Sequence, residues 1–237
     1  IGNFLLPTRW QGDDGVYRDD LAKLPEIAQV ASSIGATGCY TVVMPTCPER
    51  PYHENFEFHR HRLTEIGDIL ARYGVRLGLD FLAPAYHRED SQFHFISSAE
   101  PVIQLARTIG LENVGVMLDT WNWHVGGDSL DMVKELAVEQ VVGVRLADCP
   151  VDVDRETIRE DQRMLPGRGG AIDCAAILSH LRDAGYDGGV TPYPHPAQFS
   201  AMTRDAIVKQ TADATESVWR AGSGPKEAKP ATPAVAE

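Results

Sequence analysis

The chain has 237 residues, 43% of them hydrophobic and 24% charged, and a net charge of −12. That is the composition of a globular protein with room for a sizeable core, as one large domain or two small ones. Such an acidic balance, with no broad basic patch, excludes an extended nucleic-acid surface. No apolar run approaches the roughly 18 residues of a membrane span. Four cysteines without CxxC spacing read as free thiols of a reducing compartment, so a cytoplasmic location is expected. The chain opens on Ile1 inside an apolar run, which reads as the interior of a longer protein.

In chain order, Ile1–Leu6 is a predicted strand. A helix follows, with Leu21, Leu24, Ile27, Ala28, Ala31 and Ile34 on one face and Gly35 at its end. Gly38–Met44 is the second strand. The cluster His59, Arg60, His61 and Arg62 is expected to start a helix and present a solvated face, and Leu63, Ile66, Ile69 and Leu70 make the apolar stripe of that helix. After Gly74 comes the strand Arg76–Leu82. Ser98 is placed as an N-cap, Pro101 in a first turn, and Val102, Leu105, Ala106 and Ile109 on a helix closed by Gly110. Val114–Leu118 is a strand, Asp128 the expected cap of a helix with Leu130, Val133 and Leu136, and Val141–Leu146 the next strand. Asp173 is expected to cap a helix carrying Ile177, Leu178 and Leu181, closed by Gly185. Gly189–Thr191 is the last strand, and a helix through Ala206 and Ile207 to Trp219 completes a domain at 1–220. The Pro- and Ala-rich stretch 221–237 is expected to be a disordered tail.

Strand–helix alternation implies an α/β fold with a parallel sheet, because parallel strands need crossover connections. An open doubly wound sheet and a closed barrel both fit. The absence of GxGxxG and GxxxxGK[ST] shifts the reading to a barrel. In a barrel the chemistry sits at the C-terminal ends of the strands. The polar residues there are Asp80, Asp119, Arg145, Asp148, Tyr193 and His195, with Trp10, His53, His87 and Arg163 on adjoining loops. Asp80 and Asp119 each end an apolar strand, where an unpaired carboxylate is costly to bury. They are candidates to hold a divalent metal or a cation of the protein, and each is otherwise a cap for the turn that follows. Arg145 shares a side with Gly143 and needs anionic company. Asp80 and Asp119 are its natural partners, and an ordinary ion pair with Asp148 is the alternative.

Five phrases, in order, resemble the xylose isomerase-like sugar phosphate isomerase/epimerase superfamily: RLGLDFLAP, NVGVMLDTWNW, VVGVRLADCP, MLPGRGGAID and YDGGVTPYP, within a similarity running from Ile1 to about Trp219. The resemblance implies a (β/α)8 TIM barrel of which this chain covers strands 3–8, with the first two strand–helix units absent. In that family a Glu, an Asp, a His and a second Glu bind one divalent metal, and the two Glu residues shuttle a proton. Carried over, the first Glu falls on Asp80 and the Asp on Asp119. The His falls on Arg145, and the second Glu falls on Tyr193 or, with a shifted phrase, on Thr191. A histidine after the Asp falls on Asn122, and the loop Glu on Arg168. Guanidinium has no lone pair for a metal, and a phenol is a poor base at neutral pH. Two of four ligands are therefore lost, with His195 or His124 as the residues able to compensate.

The resemblance implies a sugar or sugar-phosphate isomerase or epimerase working through an enediolate, its metal site degraded. Asp80, Tyr193 and Arg145 are then catalytic. Trp10, His53, Trp121, Arg163 and His195 bind substrate, and Asp80 and Asp119 are the candidate ligands for Mn or Mg if any metal is held. Arg145 is expected to bridge Asp80 and Asp119 in the metal's position. The alternative is a non-catalytic barrel binding a carbohydrate or a protein partner, with Trp10, Trp121, Trp123 and Tyr193 as stacking platforms. The superfamily's DNA-repair branch is disfavoured by the charge. The expected partner is a small sugar or polyol, with no nucleic acid and no membrane, and with a homo-oligomer possible.

Overall fold

The computed structural model describes residues 3–223. It contains β1 (Phe4–Leu5), α1 (Asp14–Ser33), β2 (Gly38–Val43), β3 (Thr46–Cys47), α2 (Tyr52–Ala71), β4 (Arg76–Phe81), β5 (Phe93–His94), α3 (Ala99–Ile109), β6 (Val114–Asp119), α4 (Thr120–Val125), α5 (Leu130–Glu135), β7 (Val141–Leu146), α6 (Cys174–Asp183), β8 (Val190–Pro192) and α7 (Arg204–Gly222). Six strands form one parallel sheet in the order β1-β2-β4-β6-β7-β8, and β3 and β5 pair antiparallel outside it. This is the barrel alternative of the sequence reading, as a curled sheet whose outer edges are β1 and β8. Every sheet strand overlaps its expected range. α7 runs to Gly222, two residues past the expected domain end, and the remainder of the expected tail, 224–237, lies outside the described residues.

The central strands β4, β6 and β7 are buried on both faces, as parallel strands covered by helices must be, β6 and β7 along their whole lengths. A bulge between β6 and β7 pairs Val116 with Val141 but Met117 with Gly143. It turns the extra residue, Val142, onto the floor beneath Gly78 and Gly115. Gly143 then leaves space on the inner side for Asn3, whose side chain also fills the space beside Gly38 and donates to the Val142 carbonyl. Arg145, two residues on, follows the same inward phase.

Gly35, Gly74, Gly110 and Gly185 all have positive φ at helix ends, as expected. Asp173 caps α6 by accepting from Ala176 N–H at 2.9 Å. Asp128 does otherwise. Ser129 is the N-cap of α5, and the Asp128 carboxylate instead reaches back to the Ala99 N–H at 2.9 Å, closing the start of α3. Sequence position alone could not show that the cap acts on a neighbouring helix. All four cysteines are buried and free. Among the described residues no helix is long and apolar enough to cross a membrane.

The basic cluster in α2 departs from its expected role. It lies in mid-helix, and His59 and Arg62 are buried. Arg62 donates to the Trp10 and Gly12 carbonyls and to Asp14, and stacks on Tyr17 and Phe58. It ties the β1–α1 loop to α2. His59 donates Nδ1–H to the Asn55 carbonyl at 2.8 Å and packs between Trp10 and Phe95. Periodicity failed here because a long cationic stem and a neutral imidazole both pack as apolar groups when their polar ends find backbone oxygens.

Burial pulls the His59 pKa down to about 4, with Arg50 and Arg62 adding to the effect against the Asn55 hydrogen bond. The unfolded imidazole titrates near 6.5, so between these values the unfolded chain binds more protons. The stability owed to neutral His59 is therefore complete above about pH 6.5 and lost as pH falls toward 4. The expected loss across that window is on the order of 3 kcal/mol. Urea unfolding at several pH values should show this slope, and His59→Phe should flatten it. An unchanged slope in the variant would remove His59 as its source.

Candidate functional site

The C-terminal ends of β4, β6 and β7 bring Asp80, Asp119 and Arg145 to one point. In parallel register Asp119 stands beside Arg145, and Arg145 beside Thr191 of β8. Arg145 Nη1 donates to Asp80 Oδ2 at 2.8 Å and lies 4.0 Å from Asp119 Oδ2. Arg163, from the loop after β7, completes the group by donating Nη1 to Asp119 Oδ2 at 2.8 Å. All four side chains are buried, the two carboxylates at 1% and 0% exposure. The other carboxylate oxygens are also engaged. Asp80 Oδ1 accepts from Phe81 N–H at 2.8 Å, and Asp119 Oδ1 accepts from Trp121 and Asn122 N–H at 3.1 Å, capping α4. The cap reading and the cation reading of Asp119 thus hold together, one for each oxygen.

Aromatic rings bracket the cations. The Arg145 guanidinium lies 3.9 Å from the Tyr40 ring centre and 4.2 Å from that of Tyr193. The Arg163 guanidinium lies 4.6 Å from Trp121 and 4.9 Å from Tyr193. Burial and the Asp119 charge both push the Asp80 carboxyl pKa up, with Arg145 opposing them. Pushed up to about 7, the Asp80 carboxyl can exchange a proton near neutral pH.

Arg163 is held by Asp148. Asp148 makes no pair with Arg145. It accepts from four backbone N–H groups, Cys149 and Ile172 on Oδ1 and Gly169 and Gly170 on Oδ2, at 2.7 to 3.0 Å. Together with the two Asp148–Met164 backbone bonds, this clamps the loop next to Arg163. A Cβ on Gly169 would collide with the Cys149 carbonyl, so glycine is needed where the two backbones approach. On the other side, His195 N–H donates to the Arg163 carbonyl at 2.9 Å.

The remaining expected site residues are distributed differently. Trp10 is buried and donates its indole N–H to Thr41 Oγ1 at 2.7 Å, as a brace between β1 and β2 rather than a platform. Trp121 and Trp123 are buried, and Trp121 lies beneath Arg163. His53 is exposed on the first turn of α2, edge-on to Tyr52. His195 accepts from Ala197 N–H and caps a short turn at 196–199. Asn122 is buried near Ala83 N–H, and Arg168 is exposed. Thr191 is exposed on the inward phase of β8. His87 meets Glu160 at 3.3 Å, linking the loops after β4 and β7. Tyr40 was not singled out by sequence, although its inward phase on β2, level with Gly78 one strand away from Asp80, was available as a signal.

A divalent metal does not fit this arrangement. Each carboxylate already accepts a guanidinium N–H at hydrogen-bond distance. Among the described residues no group of three or more His, Cys, Asp or Glu side chains converges to hold an ion.

Two buried ion pairs sharing one mouth should behave as a unit. Asp119→Asn keeps an acceptor for the α4 cap but leaves Arg163 facing an amide, and should cost about 3–5 kcal/mol, as should Arg163→Met. The double variant should lose less than the sum, with a coupling of about 1 kcal/mol or more. Urea denaturation of the four proteins measures this. Additive losses would show that the pair does not act as a unit.

A family model described as the xylose isomerase-like TIM barrel matches residues 7–217. The inosose isomerase of Bacillus velezensis is 24% identical over 208 residues, covering 87% of this chain and 70% of that protein. Among solved structures, a xylose isomerase domain protein from Alicyclobacillus acidocaldarius superposes with a TM-score of 0.83 at 24% identity, over 94% of this chain and 78% of that one. An IOLI protein with a binding zinc atom superposes with a TM-score of 0.73 at 21% identity, over 91% of this chain and 74% of that one. With the parallel sheet, the strand-end site and a family match across nearly the whole described region, the chain belongs to the xylose isomerase-like TIM barrel family.

Proposed function

We propose that the protein is an isomerase or epimerase that moves a proton at the carbon beside the carbonyl of a sugar or polyol, through an enediolate and without a metal. The observation that carries this reading is a buried carboxyl, Asp80, whose pKa is pushed up and which sits 2.8 Å from a guanidinium at the mouth of the barrel. Asp80 takes the proton, and Arg145 stabilises the negative charge that develops on the neighbouring oxygen. Tyr193, 42% exposed and stacked on Arg145, is placed to return a proton. Asp119 and Arg163 complete the charge balance. The substrate class is supported by the names of similar proteins, inosose isomerase and D-psicose 3-epimerase.

We also infer that the six parallel strands correspond to the third to eighth strands of an eight-stranded barrel. The outer edges of β1 and β8 have no partner strand among the described residues. Leu5 is 57% exposed although it lies on the inward phase, level with Tyr40.

The second reading, a barrel that binds a carbohydrate without catalysis, draws on the saturation of both carboxylates. The burial of Trp10, Trp121 and Trp123 weakens it, since they present no open stacking face. The deciding experiment incubates the protein with a panel of ketoses and inososes in deuterated water, in EDTA and with added Mn. Deuterium should enter beside the carbonyl at the same rate in both, and Asp80→Asn should slow it by about a hundredfold or more. Saturable sugar binding with no exchange across the panel would establish the non-catalytic reading. Exchange only with Mn would overturn the metal-free mechanism.

A further inference from the structure

Arg145 and Arg163 are 8% and 6% exposed, yet each donates only Nη1 to a carboxylate. A guanidinium carries five N–H donors in a fixed fork. Among the described residues Nε and Nη2 of neither side chain make a hydrogen bond to the protein. The polar side-chain atoms sealed from solvent without a partner are Thr8 Oγ1, His59 Nε2 and the indole nitrogens of Trp121 and Trp123. The spare guanidinium nitrogens are not among them, so they face space that solvent enters.

The two cations also converge. Asp119 Oδ2 lies 2.8 Å from Arg163 Nη1 and 4.0 Å from Arg145 Nη1. One ring, Tyr193, lies within 4.2 and 4.9 Å of the two guanidinium carbons, and it is 42% exposed. Nearly buried cations with open donors, gathered against one exposed ring, are built to be completed by oxygen atoms from outside.

We propose that Arg145 and Arg163 form a paired-guanidinium receptor for a small planar oxyanion of the carboxylate class. Each planar fork keeps N–H donors free for more than one oxygen, which a point charge such as lysine cannot reproduce. The extension of this receptor to an enediolate rests on the proposed reaction, whereas binding of a stable carboxylate does not.

The test is calorimetry on the full chain in EDTA, with oxalate as the probe and erythritol as a neutral control of similar size. Oxalate should bind with one-to-one saturation and erythritol far more weakly. Arg145→Lys and Arg163→Lys should each weaken oxalate by about tenfold or more. Should either variant fail to fold, phenylglyoxal modification of the wild-type chain carries the same test. Oxalate should protect both arginines, read by peptide mass spectrometry. Oxalate binding no tighter than erythritol, binding that requires added Zn or Mn, wild-type affinity in both lysine variants, or unprotected arginines would overturn the proposal. Oxalate binding without deuterium exchange would leave the receptor standing and remove the proposed reaction, so the two fail separately.

Discussion

The central constraint on this molecule is electrostatic: two carboxylates end neighbouring regions of one sheet with almost no contact with water. A buried unpaired carboxylate is costly, and two of them close together raise that cost further. Asp80 and Asp119 are kept in place by two guanidinium groups, one from a strand and one from a loop. The strand supplies Arg145 because the bulge at Val142 gives β7 the phase that turns residue 145 inward. The loop supplies Arg163 because Asp148 gathers four backbone N–H groups and holds the segment that follows. A third acid, itself outside the charge cluster, thus determines where the second cation can stand.

Most of the fold was legible in the sequence. Apolar runs that end in an acid, followed by stripes at helical spacing and glycines at left-handed positions, yield the sheet strands and the helices between them. The inward residues Asp80, Asp119 and Arg145 were legible for the same reason, since strand alternation fixes a side chain's direction. Less was legible where position depends on a contact between segments. Arg163 was picked out as a loop residue, but its pairing with Asp119 depends on the Asp148 clamp, which strand periodicity does not encode. Trp10 and Trp121 read as sugar platforms because an indole at a strand end looks the same whether it faces the mouth or the core. His59 and Arg62 read as a solvated face because charge was counted without the carbonyls that receive it.

The same geometry relates the chain to its family. The fold is shared with proteins that include one holding zinc. The family resemblance expects a histidine where Arg145 stands, and that one change would not be enough by itself. A single arginine in place of a histidine would leave one carboxylate short of a partner. With Arg163 on Asp119, each carboxylate has its own cation at 2.8 Å.

Tyr193 fits the same accounting of charge. The resemblance expects a glutamate at this strand end, and with a dication present a third carboxylate would be balanced. Beside two arginines and two aspartates it would carry the buried group to a net negative charge, with no further cation among the described residues directed at it. Tyrosine adds no charge, and its ring offers a face to both guanidinium groups at once. Tyr40 does the same for Arg145 from the other strand. The paired carboxylates and the aromatic clamp thus answer one requirement, that the charges gathered at the mouth of the barrel balance one another.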